Sequence, residues 1–64
     1  MEINVESLNG DDDLYEVYFN GTRVGLQKSP LLIDALELIK RRAKIGLIKI
    51  PAEDLHKIDE ITSS

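Results

Sequence analysis

The stretch that decides the fold is YEVYFNGTRVGL, residues 15–26. Asn20-Gly21 separates two runs of alternating apolar and polar side chains, and this dipeptide is the strongest short-range signal for a β-hairpin, because both central residues of a type I′ turn need positive φ. A two-residue turn also sets the strand register. The expected cross-strand pairs are Phe19 with Thr22, Tyr18 with Arg23, Val17 with Val24, and Tyr15 with Leu26. The residues expected on the core side are Tyr15, Val17, Phe19, Val24 and Leu26.

The residues before the hairpin predict a further strand. Ile3 and Val5 alternate with polar residues, as in a strand with one buried face. Placing Ile3 opposite Phe19 and Val5 opposite Val17 puts all four on the core side, and it predicts a three-stranded antiparallel meander. Gly25, inside the third strand, indicates a bulge or a close approach of another part of the chain.

The second half of the chain opens with a predicted helix. Ser29 followed by Pro30 is typical of an N-cap and the first helical position. Gly46 is typical of the residue just beyond a helix end, so we expect the helix to run to about Ile45. The stripe that we expect to face the sheet consists of Leu32, Ala35, Leu36, Ile39 and Ala43.

A fourth strand and a second helix are predicted after this main helix. Residues 47–50 are short and apolar, as in a strand that returns to the sheet, and Pro51 opens a short C-terminal helix. The predicted fold is therefore a small two-layer α+β domain of order β-β-β-α-β-α. We expect the 64 residues to be one domain and a complete small protein, with residues 62–64 as a frayed tail.

The composition argues against several classes of function. There is no cysteine, which excludes disulfides and thiolate metal sites, and His56 is the single histidine. No glycine-rich phosphate loop is present, and the serines and threonines have no evident base nearby in sequence. We therefore expect no enzyme activity, no cofactor and no metal. The longest apolar run is far shorter than the about 20 residues of a membrane span, and no signal peptide is evident, so we expect a cytoplasmic protein.

Charge is divided into three blocks along the chain. Residues 1–22 carry net charge −6 with no base, residues 23–49 carry +5, and residues 50–64 carry −3, which sums to the net charge of −4. Such separation bears on electrostatic partners rather than on the fold. It gives the chain one acidic and one basic candidate surface.

The acidic block supports the first hypothesis, a non-enzymatic protein-binding module. An inhibitor or regulator of this kind would place an acidic surface on a basic site of a larger partner enzyme. The candidate contact residues are Glu6, Asp11, Asp12, Asp13 and Glu16. The three consecutive aspartates favour a solvated turn or a protein contact over a metal site, because consecutive acids cannot all face one ion and the alternating spacing of calcium loops is absent.

In size, acidic charge and economy of strands and helices, the chain resembles small phage-encoded proteins that bind and inhibit a host enzyme. The resemblance lies in this overall character and not in a shared motif. It implies a protein partner and no activity of its own.

Two alternatives remain open, and one is nucleic-acid binding. Basic residues suit phosphate contacts, although a basic helix end also complements the helix dipole, and no aromatic residues interleave with them. The basic candidates are Arg23, Lys40, Arg41, Arg42 and Lys44.

The other alternative is a homodimer or a larger apolar interface. The chain has more apolar positions than one sheet-facing stripe needs, so the surplus is either covered within the chain or forms an interface. The helix candidates for this seam are Leu31, Leu38 and Ile45. Leu8 and Leu14 are expected to meet on the outer face of the sheet.

Overall fold

A computed structural model describes residues 1–10 and 13–63 and shows three strands followed by two helices. The strands are β1 (Ile3–Ser7), β2 (Tyr15–Phe19) and β3 (Thr22–Gln27), with a short 3-10 turn at Leu8–Gly10. The helices are α1 (Leu32–Lys44) and α2 (Ala52–Ser63). The strand order β1-β2-β3 with antiparallel pairing confirms the α+β class and the three-stranded meander.

The hairpin forms around the Asn-Gly turn as predicted. Asn20 has φ 49° and Gly21 has φ 84°, the two positive values that a type I′ turn requires. The predicted pairing of β1 with β2 is also confirmed, with Ile3 opposite Phe19 and Val5 opposite Val17. Local turn chemistry and alternation therefore determine this part of the sheet.

The third strand departs from the predicted register because it contains a bulge. Val17 lies opposite Gly25 and not opposite Val24, so Val24 is an extra residue in β3. The insertion turns the following residue to the other side of the sheet, where Leu26 lies opposite Glu16 and is 40% exposed. The prediction that Leu26 faces the core is wrong, since it assumed unbroken alternation.

Gly25 marks the place where α1 comes closest to the sheet. A Cβ atom at this position would lie 2.9 Å from Leu38 Cδ2 and 2.9 Å from Arg42 Nε, so both side chains depend on the bare backbone. Gly25 therefore combines the predicted bulge and the predicted close approach. Leu38 is only 8% exposed, which corrects its assignment as a surface interface residue.

The two ends of α1 differ in how well the sequence predicted them. The helix begins at Leu32 and not at Pro30, and its N-cap is Leu31 and not Ser29, with no side-chain cap hydrogen bond. The Ser29 hydroxyl oxygen instead accepts a hydrogen bond from the Leu31 N–H at 3.0 Å, one turn ahead of the helix. The C-terminal end is as predicted, because Gly46 has φ 83° and closes a Schellman motif.

A single core lies between the inner face of the sheet and the two helices. Its buried apolar residues are Val17, Phe19, Ala35, Leu36, Leu38, Ile39 and Ile58. Ile58 is fully buried and brings α2 into this core. Leu32, which was expected in the sheet-facing stripe, is 54% exposed, so the prediction that it faces the sheet is wrong.

The predicted fourth strand is not formed. Within the described residues the sheet has three strands, and residues 47–50 are an irregular linker between α1 and α2. Ile48 and Ile50 pack against the core with their side chains, which explains the apolar run without backbone pairing.

Lysines of α1 join α2 to it. Lys40 Nζ donates a hydrogen bond to Thr62 Oγ1 at 3.0 Å and lies 3.4 Å from Asp59 Oδ1, and Lys44 Nζ lies 3.8 Å from that same oxygen. Since later positions of α1 meet earlier positions of α2, the helices run antiparallel. The helix continues to Ser63, so the expected tail is helical up to that residue. With 13 and 12 residues, neither helix in the described part of the chain could cross a bilayer.

Candidate protein-contact face

The acidic strand residues lie on the side of the sheet that faces away from α1. Residues directly opposite each other on neighbouring strands share a face, so the pairing places two rows side by side there. We call this surface the outer face and define it by Asn4, Tyr18 and Arg23 in one row and Glu6, Glu16 and Leu26 in the next. All six are exposed or half-buried, whereas the opposite side of β2 carries the buried Val17 and Phe19.

The centre of the outer face is a pair of like charges. Glu6 lies directly opposite Glu16, and like charges in this position destabilise an antiparallel pair. Glu16 is compensated on the other side, because Arg23 Nη1 lies 3.3 Å from its Oε2 atom and the Tyr18 hydroxyl donates a hydrogen bond to the same oxygen at 3.3 Å. Glu6 is exposed and forms no ion pair within residues 1–10 and 13–63.

The pKa of the Tyr18 phenol is affected by the carboxylates of this face. Its pKa is raised above the ordinary value of 10.0, first by partial desolvation, then by the charge of Glu16, by the hydrogen bond to Glu16 and by the charge of Glu6. Arg23 acts in the opposite direction. Desolvation disfavours a charge of either sign at this position, whereas the contributions of Glu16 and Glu6 show that the two carboxylates disfavour a further negative charge.

The loop end of the outer face is described only in part. Asp11 and Asp12 lie outside the described residues, so two of the five acidic candidates are not placed. Asp13 is exposed. Beyond the end of β1, the Leu8 N–H donates a hydrogen bond to the Leu14 carbonyl at 2.9 Å, so the backbone pairing with the second strand continues to these two residues. Among the described residues, no group of three acidic or histidine side chains is arranged to hold a metal ion.

The chain matches no protein-family model, no curated protein and no solved structure. The chemistry of the outer face is thus described from its own side chains. Glu6 and Glu16 contribute two carboxylates against the one guanidinium of Arg23, a balance that suits lysine or arginine side chains.

The basic candidates are dispersed over the fold. Lys40 and Lys44 both face Asp59 of α2, and Arg23 lies on the outer face beside a carboxylate. Arg42 lies over β3, and Arg41 is exposed on the flank of α1. The fold therefore divides the basic cluster, with Lys40 and Lys44 facing α2 and Arg41 and Arg42 lining one hollow with Leu38 and Ile45.

The apolar seam candidates do not form one patch either. Leu31 and Ile45 are 57% and 70% exposed, but they flank the two ends of α1 and are about 21 Å apart along its axis. Leu38, between them, is in the core.

Alternation along β2 predicted Tyr18 and Arg23 opposite each other on the outer face, and the pairing confirms this. Sequence reasoning missed Leu26, which was expected on the core side and is exposed because of the bulge at Val24. The hydrogen bond between Tyr18 and Glu16 was not predicted, although both residues lie on the same side of β2.

Proposed function

We propose that the protein is a non-enzymatic protein-binding module whose outer face docks on a basic surface of a larger partner, as an inhibitor or regulator in the cytoplasm. The observation that supports this proposal is Glu6 opposite Glu16 on a face that no helix covers within the described residues. The arrangement costs stability in the isolated chain, and a lysine or arginine placed between the carboxylates would relieve it.

The contact would combine charge with a small apolar centre. The carboxylates steer a basic surface toward the sheet, an effect that salt weakens because the charges are exposed. At contact, Tyr18 and Leu26 supply apolar area next to the carboxylates, and tyrosine is enriched in the buried centres of protein interfaces.

The test compares three forms of the full chain as bait in a lysate of the organism that encodes it. The outer face is altered in Glu6→Gln/Glu16→Gln, and the matched control Glu53→Gln/Glu60→Gln makes the same change in net charge on exposed positions of α2. Bound proteins are quantified by mass spectrometry at increasing salt.

We expect wild type and control to retain the same basic protein and the outer-face variant to retain about tenfold less of it. That is the effect of losing two exposed charge contacts of roughly 0.7 kcal/mol each. Equal recovery by all three baits, or recovery that salt leaves unchanged, would refute the proposal.

The two alternatives are tested on the same samples. A gel shift with single- and double-stranded DNA and RNA at low salt detects nucleic-acid binding, and sedimentation at several concentrations detects a homodimer. We expect no shift, because Lys40 and Lys44 face Asp59 and Arg23 faces Glu16, which leaves only Arg41 and Arg42 of the five basic candidates without an ion pair within the described residues. We expect a monomer, because Leu31 and Ile45 lie at opposite ends of α1.

A further inference from the structure

The free edge of β3 is open to another strand. β3 lies at one end of the sheet order, with β2 as its single neighbour within the described residues. An edge strand presents unpaired N–H and C=O groups that a second chain can pair with. Residues 47–50 do not occupy this edge, and a cleft of about 390 Å³ lies between the start of β3 and this linker, lined in part by Arg23, Val24 and Lys49.

Two further hollows continue along the strand. One of about 330 Å³ is lined by Leu38, Arg42 and Ile45 near Gly25. The next, of about 470 Å³, borders the end of β3 at Gln27 and shares Leu38 with the previous one. Two of the hollows border the start and the end of β3, and the middle one is lined by Leu38 and Arg42, which lie against Gly25. We call the three together the β3 groove.

The β3 groove is basic. Its lining includes five cationic side chains against two carboxylates, for a net charge of +3. The cations are Arg23, Lys28, Arg41, Arg42 and Lys49, and the carboxylates are Asp34 and Glu37. Of these cations only Arg23 forms an ion pair within the described residues, so the others remain available to an acidic ligand.

Two buried polar atoms at the groove also lack partners. Arg42 Nε, a donor, and Gln27 Oε1, an acceptor, form no hydrogen bond in the described part of the chain. Gln27 lies opposite Tyr15, the place predicted for Leu26, so the bulge puts an amide where an apolar side chain was expected. Buried polar groups are normally satisfied, and these two mark the groove as incomplete in the isolated chain.

We propose that the β3 groove binds an extended acidic segment of a partner protein as an added strand. The backbone of the segment pairs with the free edge of β3, which provides affinity without regard to sequence. Its acidic side chains lie near Lys28 and Arg41, and its apolar side chains face Ile45, which is exposed at the end of α1. A second copy of this chain is a poorer occupant, because two β3 grooves placed together would bring net positive charges into contact.

The experiment titrates the full nitrogen-15-labelled protein with a capped peptide of alternating glutamate and valine and records amide NMR shifts and hydrogen exchange. One control peptide carries lysine in place of glutamate, and another carries N-methylvaline, which cannot donate backbone hydrogen bonds. The protein variants are Lys28→Gln/Arg41→Gln at the groove and Lys57→Gln, an exposed cation of α2, as their control.

We expect the glutamate peptide to shift and protect amides of β3, and neither control peptide to do so. The groove variant should bind the peptide about 2- to 10-fold more weakly, while Lys57→Gln binds it as wild type does and Glu6→Gln/Glu16→Gln, which releases Arg23 from its ion pair, binds it at least as tightly. The proposal would be overturned if β3 amides did not shift at millimolar peptide or if the lysine peptide bound equally well. It would also be overturned if sedimentation showed a dimer whose β3 amides were already protected from exchange without peptide. Because the outer-face variant retains this binding, failure here is separate from failure of the proposed function.

Discussion

The outer face and the β3 groove are neighbouring surfaces of opposite charge, and one irregularity shapes both. The extra residue Val24 turns Leu26 toward the outer face and places Gly25 under α1, where Arg42 and Leu38 lie over the strand. The outer face is an acidic set of cross-strand pairs, whereas the groove is a basic strand edge whose backbone groups are unpaired within the described residues. A single bulge therefore shapes two neighbouring surfaces of opposite charge on a small sheet.

The largest expected effect comes from filling the space at Gly25. Gly25→Val places side-chain atoms against Leu38 and Arg42, and we expect a loss of about 1–3 kcal/mol in the free energy of unfolding. Urea denaturation measures it, with Thr22→Val, an exposed position of the same strand, as a control expected to stay within about 0.5 kcal/mol of wild type. If Gly25→Val were as stable as wild type, α1 would not lie over β3. The outer face and the β3 groove would then not be shaped by one and the same bulge.

A smaller effect distinguishes the two carboxylates of the outer face. Glu6→Gln removes a like charge opposite Glu16, so we expect a gain of about 0.2–1 kcal/mol in the free energy of unfolding. Glu16→Gln relieves the same repulsion but loses the contacts with Arg23 and Tyr18, and its gain should be smaller or absent. Both variants change the net charge equally. If Glu6→Gln is no more stable than wild type, the two carboxylates do not repel each other as described. If Glu16→Gln gains as much as Glu6→Gln, the contacts of Glu16 with Arg23 and Tyr18 do not stabilise the fold.

The smallest effect is on the titration of Tyr18. Since its pKa is raised, the stability linked to its retained proton is complete below pH 10.0 and is lost as pH rises through the pKa of the folded state. Tyrosinate absorbance should therefore show a tyrosine that titrates above pH 10.0, and Tyr18→Phe should remove that step. Glu16→Gln should lower this pKa and Glu6→Gln should lower it less. An unchanged pKa of Tyr18 in Glu16→Gln would show that the carboxylate of Glu16 does not act on the phenol.

Local sequence signals predicted the parts of the fold that depend on contacts between residues close in sequence. Asn20-Gly21 determined the hairpin, the alternation around Ile3 and Val5 determined the first pairing, and Gly46 determined the end of α1. Gly25 indicated a bulge or a close approach, but the register of β3 and the exposure of Leu26 escaped prediction, because they depend on how α1 packs over Gly25, a contact between residues distant in sequence. The prediction of a fourth strand was wrong because an apolar run such as residues 47–50 can pack against the core through its side chains, without backbone pairing.

The same division applies to the outer face. Glu6 and Glu16 were expected on the acidic surface, and their opposition follows from the register of Val5 and Val17. The dispersal of the basic residues was not predictable from a linear cluster, because it depends on where Asp59 of α2 meets Lys40 and Lys44.

Carboxylate footprinting of the captured complex tests the central claim, that the outer face is the protein-contact surface, most directly. Carboxyl groups are labelled with and without the bound partner, and modification is quantified residue by residue by mass spectrometry. The account predicts that Glu6 and Glu16 become protected from labelling, while Glu53 and Glu60, two exposed positions of α2, are labelled as before. Protection of Glu53 and Glu60 with Glu6 and Glu16 still labelled would contradict it.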